Sequence, residues 1–326
     1  MLRVGLNPYG TSYAVGLQGP GTPRVNPAPL GLEGFIALAE QIGARSIELD
    51  PRLLQPLDAG GLAALTDRLA ARDMQPVLSA GPGSESLREA ISLAARLGAR
   101  VVRVGLSHVL CGDRAVEPGW DELVAGVRGA LPNAALVAAG SGLSLAIEDH
   151  QDFTSAELIE FCREAGPTVG ICLDTANPLS VGEDPVAFAR AVAPLVRHAH
   201  LKDYRVQWTD EGYRLIRCPT GDGAIPIREI AAILNEHQAE LTASIEVGAL
   251  NARHIRLLTP GWWEGYPPRS ARDLAAGLAA ARVRRLPEDA EWRTPWELEQ
   301  TPQSIVDYEL AQLFKSVENL RGMGLM

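Results

Sequence analysis

Eight short apolar runs, near residues 3, 46, 76, 100, 144, 168, 194 and 242, alternate along this chain with segments of helical periodicity. Runs apolar on both faces are what parallel strands covered by helices require. Leu32, Phe35, Ile36, Leu38, Ala39 and Ile42 recur at helical spacing, Gly43 stands where a left-handed C-terminal cap belongs, and Ser46-Ile-Glu-Leu-Asp50 follows as a strand. The unit repeats. Asp58 caps a helix reaching Met74 before the strand Pro76 to Ser79, and Ser86 with Glu89 reads as a capping box opening a helix that stops at Gly98, before Val101 to Leu106. Trp120 to Leu131 is a fourth helix, Thr154 with Glu157 opens a fifth, Asp184-Pro185 a sixth, and Ile227 to His237 forms a seventh.

Eight such units favour an α/β fold of the closed (β/α)8 TIM-barrel type over residues 1–285. An open doubly wound sheet would carry a Gly-x-Gly-x-x-Gly turn after its first strand, and none is present. Residues 286–326 are irregular up to Thr301-Pro302, which opens a last helix; they are expected as a C-terminal extension packing on the barrel or on a partner subunit. Residues 8–29 and 249–269 form loops too long to be mere connectors. The second mixes Arg253, His254 and Arg256 with Trp262, Trp263 and Tyr266, and is expected to cover the barrel mouth.

Charge narrows the partners. A formal charge of −10 and no long basic run would repel a phosphate backbone, which excludes nucleic acid. Cys111, Cys162, Cys172 and Cys218 lack CxxC spacing, the N-terminus runs straight into a strand pattern, and no stretch reads as a membrane span. A reduced, cytoplasmic protein is expected, with no membrane partner and with a homo-oligomer open.

Four of the apolar runs end in groups a packed core has no use for: Glu148-Asp149-His150, Asp174-Thr175, His198-Ala-His200-Leu-Lys202-Asp203, and Glu246. The C-terminal strand ends of a (β/α)8 barrel converge on one mouth, so Glu148, Asp174, His200 and Glu246 should face one another. Three carboxylates and an imidazole suit a hard divalent cation, Mn²⁺ first, with Mg²⁺, Co²⁺ or Zn²⁺ as alternatives. Without a cation the carboxylates would repel one another. Taken singly, Asp174 reads equally as a loop cap and His200 as a core histidine. Glu148 and Glu246 are harder to dismiss, because each interrupts an apolar strand where an unpaired charge is costly.

At these residues the chain resembles the xylose-isomerase-like barrel superfamily, which holds sugar isomerases, epimerases and dehydratases and also the AP endonuclease family 2 (endonuclease IV) type nucleases. The resemblance spans roughly residues 1 to 285 through the Ile-Glu-Asp, Leu-Asp-Thr, His-Leu-Lys-Asp and Ile-Glu strand ends and Gly221-Asp-Gly223. It implies that Glu148, Asp174, His200 and Glu246 are the metal ligands. One departure stands out: many relatives carry a histidine three residues after the strand-six aspartate, where this chain has Asn177, an amide that hydrogen-bonds a hydroxyl but shuttles no proton. The nuclease branch needs further histidines for its zinc site, and six are too few as placed here.

The resulting expectation is a metal-dependent isomerase or epimerase of a ketose or related oxidised sugar, working through an enediolate, with Glu148 and Glu246 moving the proton. A lyase removing water or CO₂ from a 3-oxo sugar acid would use the same intermediate, and a non-catalytic sugar-binding barrel is the rival. Lys202 and Arg205 are cations for an acidic substrate, although a salt bridge of Lys202 with Asp203 is an equal reading. His108 and Arg103 lie at strand four, His150 follows Glu148, and Asn177 completes the expected substrate contacts. Trp262 reads either as a lid ring over sugar CH faces or as a hydrophobic plug.

Overall fold

The apolar runs pair in parallel around a closed ring. A computed structural model describes residues 2–81, 83–117 and 119–326. The first seven barrel strands are β1 (Leu2–Leu6), β2 (Ser46–Leu49), β3 (Gln75–Ala80), β4 (Val101–Val104), β5 (Ser144–Glu148), β6 (Val169–Asp174) and β7 (Val196–Leu201). The chain then leaves the ring for β8 (Tyr204–Thr209) and β9 (Gly212–Arg217) and returns as β10 (Leu241–Ile245), which closes the barrel between β7 and β1. This is a TIM barrel. Most apolar side chains fill the space between strands and helices, in one continuous core. Inside the ring a small layer of Val77, Val101, Ala146 and Cys172 leaves room for charged side chains nearer the mouth.

The helix signals hold with two amendments. Thr154 and Glu157 form the expected reciprocal capping box, and Asp58 caps its helix by accepting from the Gly61 N–H. Ser86 caps nothing: that helix begins at Ser84 after Gly83, and the Ser86 hydroxyl accepts from the Gly81 N–H. The fourth helix runs past Leu131, through Pro132, to Gly140. At 21 residues it is long and apolar enough to cross a membrane by length and composition, which amends the expectation of no such stretch. It packs beside the helices Ser84–Arg96 and Ser155–Ala165.

The β8–β9 hairpin was absent from the sequence expectation, and it changes what stands beside the mouth. β11 (Arg253–Ile255) adds to it antiparallel to β9, so residues 249–269 are not a free loop. Trp262 is buried, stacks on Tyr266 and donates to the Cys111 carbonyl, while the Tyr266 hydroxyl donates to the Gly112 carbonyl.

The tail shares the barrel's core. Helix Pro302–Gly322 contributes Leu313, Val317 and Leu320 to it, so residue 285 is no boundary between two cores. Arg321 donates to the Ile42 carbonyl and Arg228 to the Gly322 carbonyl, which sets this helix between Gly31–Ile42 and Ile227–His237. Buried Glu309 accepts from the Tyr13, Ala14 and Ala249 N–H groups, tying the same helix to two loops at the mouth. The helix Ala271–Ala280, by contrast, lies against the loop after β6, so close that a Cβ on Gly277 would stand 2.4 Å from the Gly182 carbonyl oxygen.

Candidate active site

Parallel pairing puts Asp174 of β6 directly beside His200 of β7, and His200 beside Ser244 of β10. Glu148 ends β5 and Glu246 follows β10, so all four expected ligands reach one level of the mouth. One ligand atom from each lies within 4.8 Å of the others, and all four residues are buried. The His200 Nδ1 is 3.1 Å from Glu148 Oε1 and 3.1 Å from Glu246 Oε2. Its Nε2 stands 2.7 Å from Glu48 Oε2.

That last contact settles how the ring is presented. A carboxylate can only accept, so Glu48 takes the Nε2 proton, and the Asn7 amide spends its hydrogens on Glu48 Oε2 and Glu246 Oε2, each at 3.1 Å. Nδ1 is left facing two more acceptors. Either a proton or a cation must sit there. Burial works against a charged imidazole, but Cys172, Glu48, Glu148 and Glu246 together hold His200 well above its usual value. The donor set therefore fits a divalent ion: three carboxylates, one imidazole nitrogen with its far side anchored, and a surplus of negative charge.

Two buried cations share that charge. The Lys202 ammonium pairs with both Asp174 and Glu246, and the Arg103 guanidinium joins Glu48 at 3.0 Å to Glu148 at 3.3 Å. Burial alone would raise the Glu148 carboxyl, yet Arg103 and the nearby histidines bring it down to about 2. Burial also raises Glu246 in isolation, and Lys202 and His200 reverse this, holding it well below the carboxylate range. Both carboxylates are thus ionised at neutral pH, and each has a fixed cationic neighbour.

Glu48 is the residue the sequence expectation missed. Fully buried on β2, it also accepts from Ser79 at 2.7 Å and lies 3.2 Å from His198 Nε2. The signal was available: Ser46-Ile-Glu48-Leu interrupts an apolar strand as Glu148 and Glu246 do. His198, next door on the same strand face, holds Thr242 at 2.7 Å. Asn7, at the end of β1, carried no such signal.

The expected substrate contacts divide. Lys202 and Asn177 are buried beside the cluster, the Asn177 N–H donating to Asp174 at 3.2 Å. His150 stands close enough to feel Glu148, Lys202 and Glu246, though burial dominates and lowers it to about 4. His108 is exposed on the loop after β4. Arg205 is also exposed: strand alternation puts it on the opposite face of β8 from buried Tyr204, so it does not join Lys202. Trp262 lies inside the wall described above, with the geometry of a plug.

The salt bridge weighed between Lys202 and Asp203 does not form either. The Asp203 carboxylate accepts instead from the backbone N–H groups of Tyr204, Gly221, Gly223 and Ile225. A Cβ on Gly223 would fall 2.2 Å from its Oδ1, so the Gly221-Asp-Gly223 turn exists to wrap this carboxylate. Lys202 is thereby left for the mouth.

A sequence model of the xylose isomerase-like TIM barrel family matches residues 36–258. The chain belongs to that family. Among solved structures, an L-ribulose 3-epimerase is similar in fold at 17% identity and a TM-score of 0.56, over 99% of this chain and 97% of that one. The IolI protein with a bound zinc atom is similar at 15% identity and a TM-score of 0.55, over 86% of this chain and 95% of that one. In sequence, residues of this chain are 27% identical over 107 residues to the uncharacterized protein YihM of Escherichia coli strain K12, covering 32% of this chain. The match spans about a third of that relative, 33% of its length.

Proposed function

We propose that the protein is a divalent-metal-dependent isomerase or epimerase of a ketose or related oxidised sugar. The observation that carries this reading is the placement of Glu148 and Glu246. They come from β5 and β10, separated in the ring by β6 and β7, and their carboxylates flank one imidazole nitrogen. A cation held by Glu148, Asp174, His200 and Glu246 would act as a Lewis acid toward charge developing on adjacent substrate oxygens. One glutamate takes a proton from the carbon between carbonyl and hydroxyl, and the C–H electron pair becomes the double bond of an enediolate. The other returns a proton to that carbon from the opposite face, giving the epimer; return to the neighbouring carbon, with the hydroxyl proton passing to the former carbonyl oxygen, gives the isomer. Arg103 and Lys202 keep the two bases ionised, and Asn7 and Glu48 hold the imidazole between them.

A second reading is a lyase, in which the same enediolate expels water or CO₂ from a 3-oxo sugar acid. Arg217 and Arg253, which form no ion pair among the described residues, favour it, since an acid substrate needs a counter-charge. The deciding experiment is a turnover screen of Mn²⁺-loaded protein on ketoses and 3-oxo sugar acids, followed by NMR for epimer, isomer, alkene or CO₂. No product from any member of the panel would sink both readings and leave a sugar-binding barrel.

A further inference from the structure

The three-stranded sheet beside the mouth carries two arginines, Arg217 and Arg253, that form no ion pair among the described residues. Tyr204 of β8 pairs with Arg217 of β9, and Leu215 of β9 pairs with Arg253 of β11. Residues directly opposite share a face, and so do residues two apart, so Tyr204, Arg217 and Arg253 all lie on one side of this sheet. That side faces the mouth: the Tyr204 hydroxyl is 3.3 Å from the Asn177 side-chain oxygen, and Asn177 is bound to Asp174.

Arg217 is only 6% exposed, yet among the described residues it has no carboxylate in ion-pair range; the one hydrogen bond of its side chain runs 3.4 Å from Nη1 to the Asn251 carbonyl. Arg253 has no ion pair either. The Nε of each is buried without an acceptor, and so is the Asn177 Nδ2. Burial and the adjacent Arg217 charge both depress the Arg253 guanidinium, as expected of two cations crowded together. The other buried arginines among the described residues differ from Arg217, since Arg103 and Arg114 each meet a glutamate, while half-buried Arg253 shares its want of a partner. Burying a charge without a partner is costly, and burying two side by side is worse. Three unused donors on one wall of a cluster built for oxygen ligands describe a receptor for an anion.

We infer that Arg217 and Arg253, with the amide of Asn177, bind the anionic end group, carboxylate or phosphate, of an acidic sugar whose other oxygens reach the Glu148, Asp174, His200 and Glu246 cluster. This deepens the proposed function and rests on the same mouth being the substrate site. The preferred substrate is then a sugar acid or sugar phosphate rather than a neutral ketose. The subsite lies outside the proton-moving glutamates, so it sets affinity and selectivity without touching the reacting carbon.

The test is calorimetric titration of the full-length protein, in EDTA so that no metal ion competes for the anions, with gluconate, glucitol 6-phosphate and neutral glucitol. At least one of the two anions should bind ten- to a hundredfold more tightly than glucitol, the range that hydrogen bonds to a charged group supply, and the one that does identifies the end group. Arg217→Met and Arg253→Met should each remove most of that preference. Neither should lower the melting temperature of the free protein, because each deletes a cation with no ion-pair partner among the described residues. Equal affinity for all three probes, or an anion preference surviving in both variants, overturns the inference. So does a large fall in melting temperature for both variants, which would make these arginines structural. An anion preference in the parent that both variants lose, with no product from any ketose or acid in the turnover screen, would instead refute the isomerase and lyase readings and leave the subsite standing.

Discussion

The His200 imidazole is gripped from below by Glu48, Nε2 to Oε2, at 2.7 Å. A buried carboxylate that takes one ring proton decides which nitrogen offers its lone pair, and here the free nitrogen is Nδ1, between Glu148 and Glu246. Glu48→Gln keeps the volume but presents an amide hydrogen to one of the two histidines, His198 or His200. Divalent-metal affinity should fall about 10- to 100-fold in this variant, as measured by competition with a fluorescent chelator, while the far-ultraviolet circular dichroism stays that of the parent. Unchanged affinity would remove Glu48 from the metal site.

Lys202 sits where two ligand carboxylates meet, so its ammonium does for the metal-free protein part of what a cation would do. Lys202→Met leaves Asp174 and Glu246 buried and facing each other. Losing one partner of a buried pair typically costs about 3 to 5 kcal/mol, so the EDTA-treated variant should melt several degrees lower than the parent. Added Mn²⁺ should raise its melting temperature by more than it raises the parent's, because the ion relieves a repulsion the parent does not have. A smaller metal-induced rise than in the parent would mean that Lys202 assists the ion rather than standing in for it.

Glu309 gives the fold a pH dependence of its own. Burial raises its carboxyl to about 7, against the pull of the N–H groups of Ala14, Ala249 and Tyr13. An acid whose folded value lies above its unfolded value binds its proton more tightly when folded. Its contribution is therefore largest below about pH 4.5 and declines as pH rises toward 7, where it levels off. The difference in unfolding free energy between the parent and Glu309→Gln should shrink by about 3 kcal/mol from pH 4.5 to pH 7. Urea titrations at these two pH values measure it, and a difference that grows with pH would reverse the sign.

The barrel was legible because each of its signals is local. Apolar runs, caps such as Thr154 with Glu157, and polar strand ends can be counted along the chain, and the ring geometry then brings Glu148, Asp174, His200 and Glu246 together. Glu48 shows the limit of that method: its role is made by five side chains, one just after β1 and the others from β3, β4 and β7, and no sequence spacing joins Asn7, Ser79, Arg103, His198 and His200. Arg205 and Arg217 show another. Both are arginines near the strand-seven motif, but only the pairing of β8 with β9 decides which one turns toward the mouth, and the alternation in Tyr204 to Arg217 could have revealed that hairpin.

Glu148 and Glu246 should be separable by isotope exchange. Gln at either position keeps the size and one oxygen ligand, so part of the metal affinity should survive while turnover falls by about 10² to 10⁴, the usual cost of losing a positioned acid or base. The two variants should fail differently. The base that faces a given epimer is the one that removes its proton, and this half-reaction does not need the second base. Incubated in ²H₂O with a substrate found by the turnover screen, one variant should wash deuterium into one epimer, and the other variant into the opposite epimer. Their different cations sharpen the expectation: Arg103 holds Glu148, whereas Lys202 holds Glu246 and is shared with Asp174. Exchange into the same epimer by both variants would place both glutamates on one face of the substrate, and the proton would then have to return through another titratable group beside them, such as His150 or Lys202.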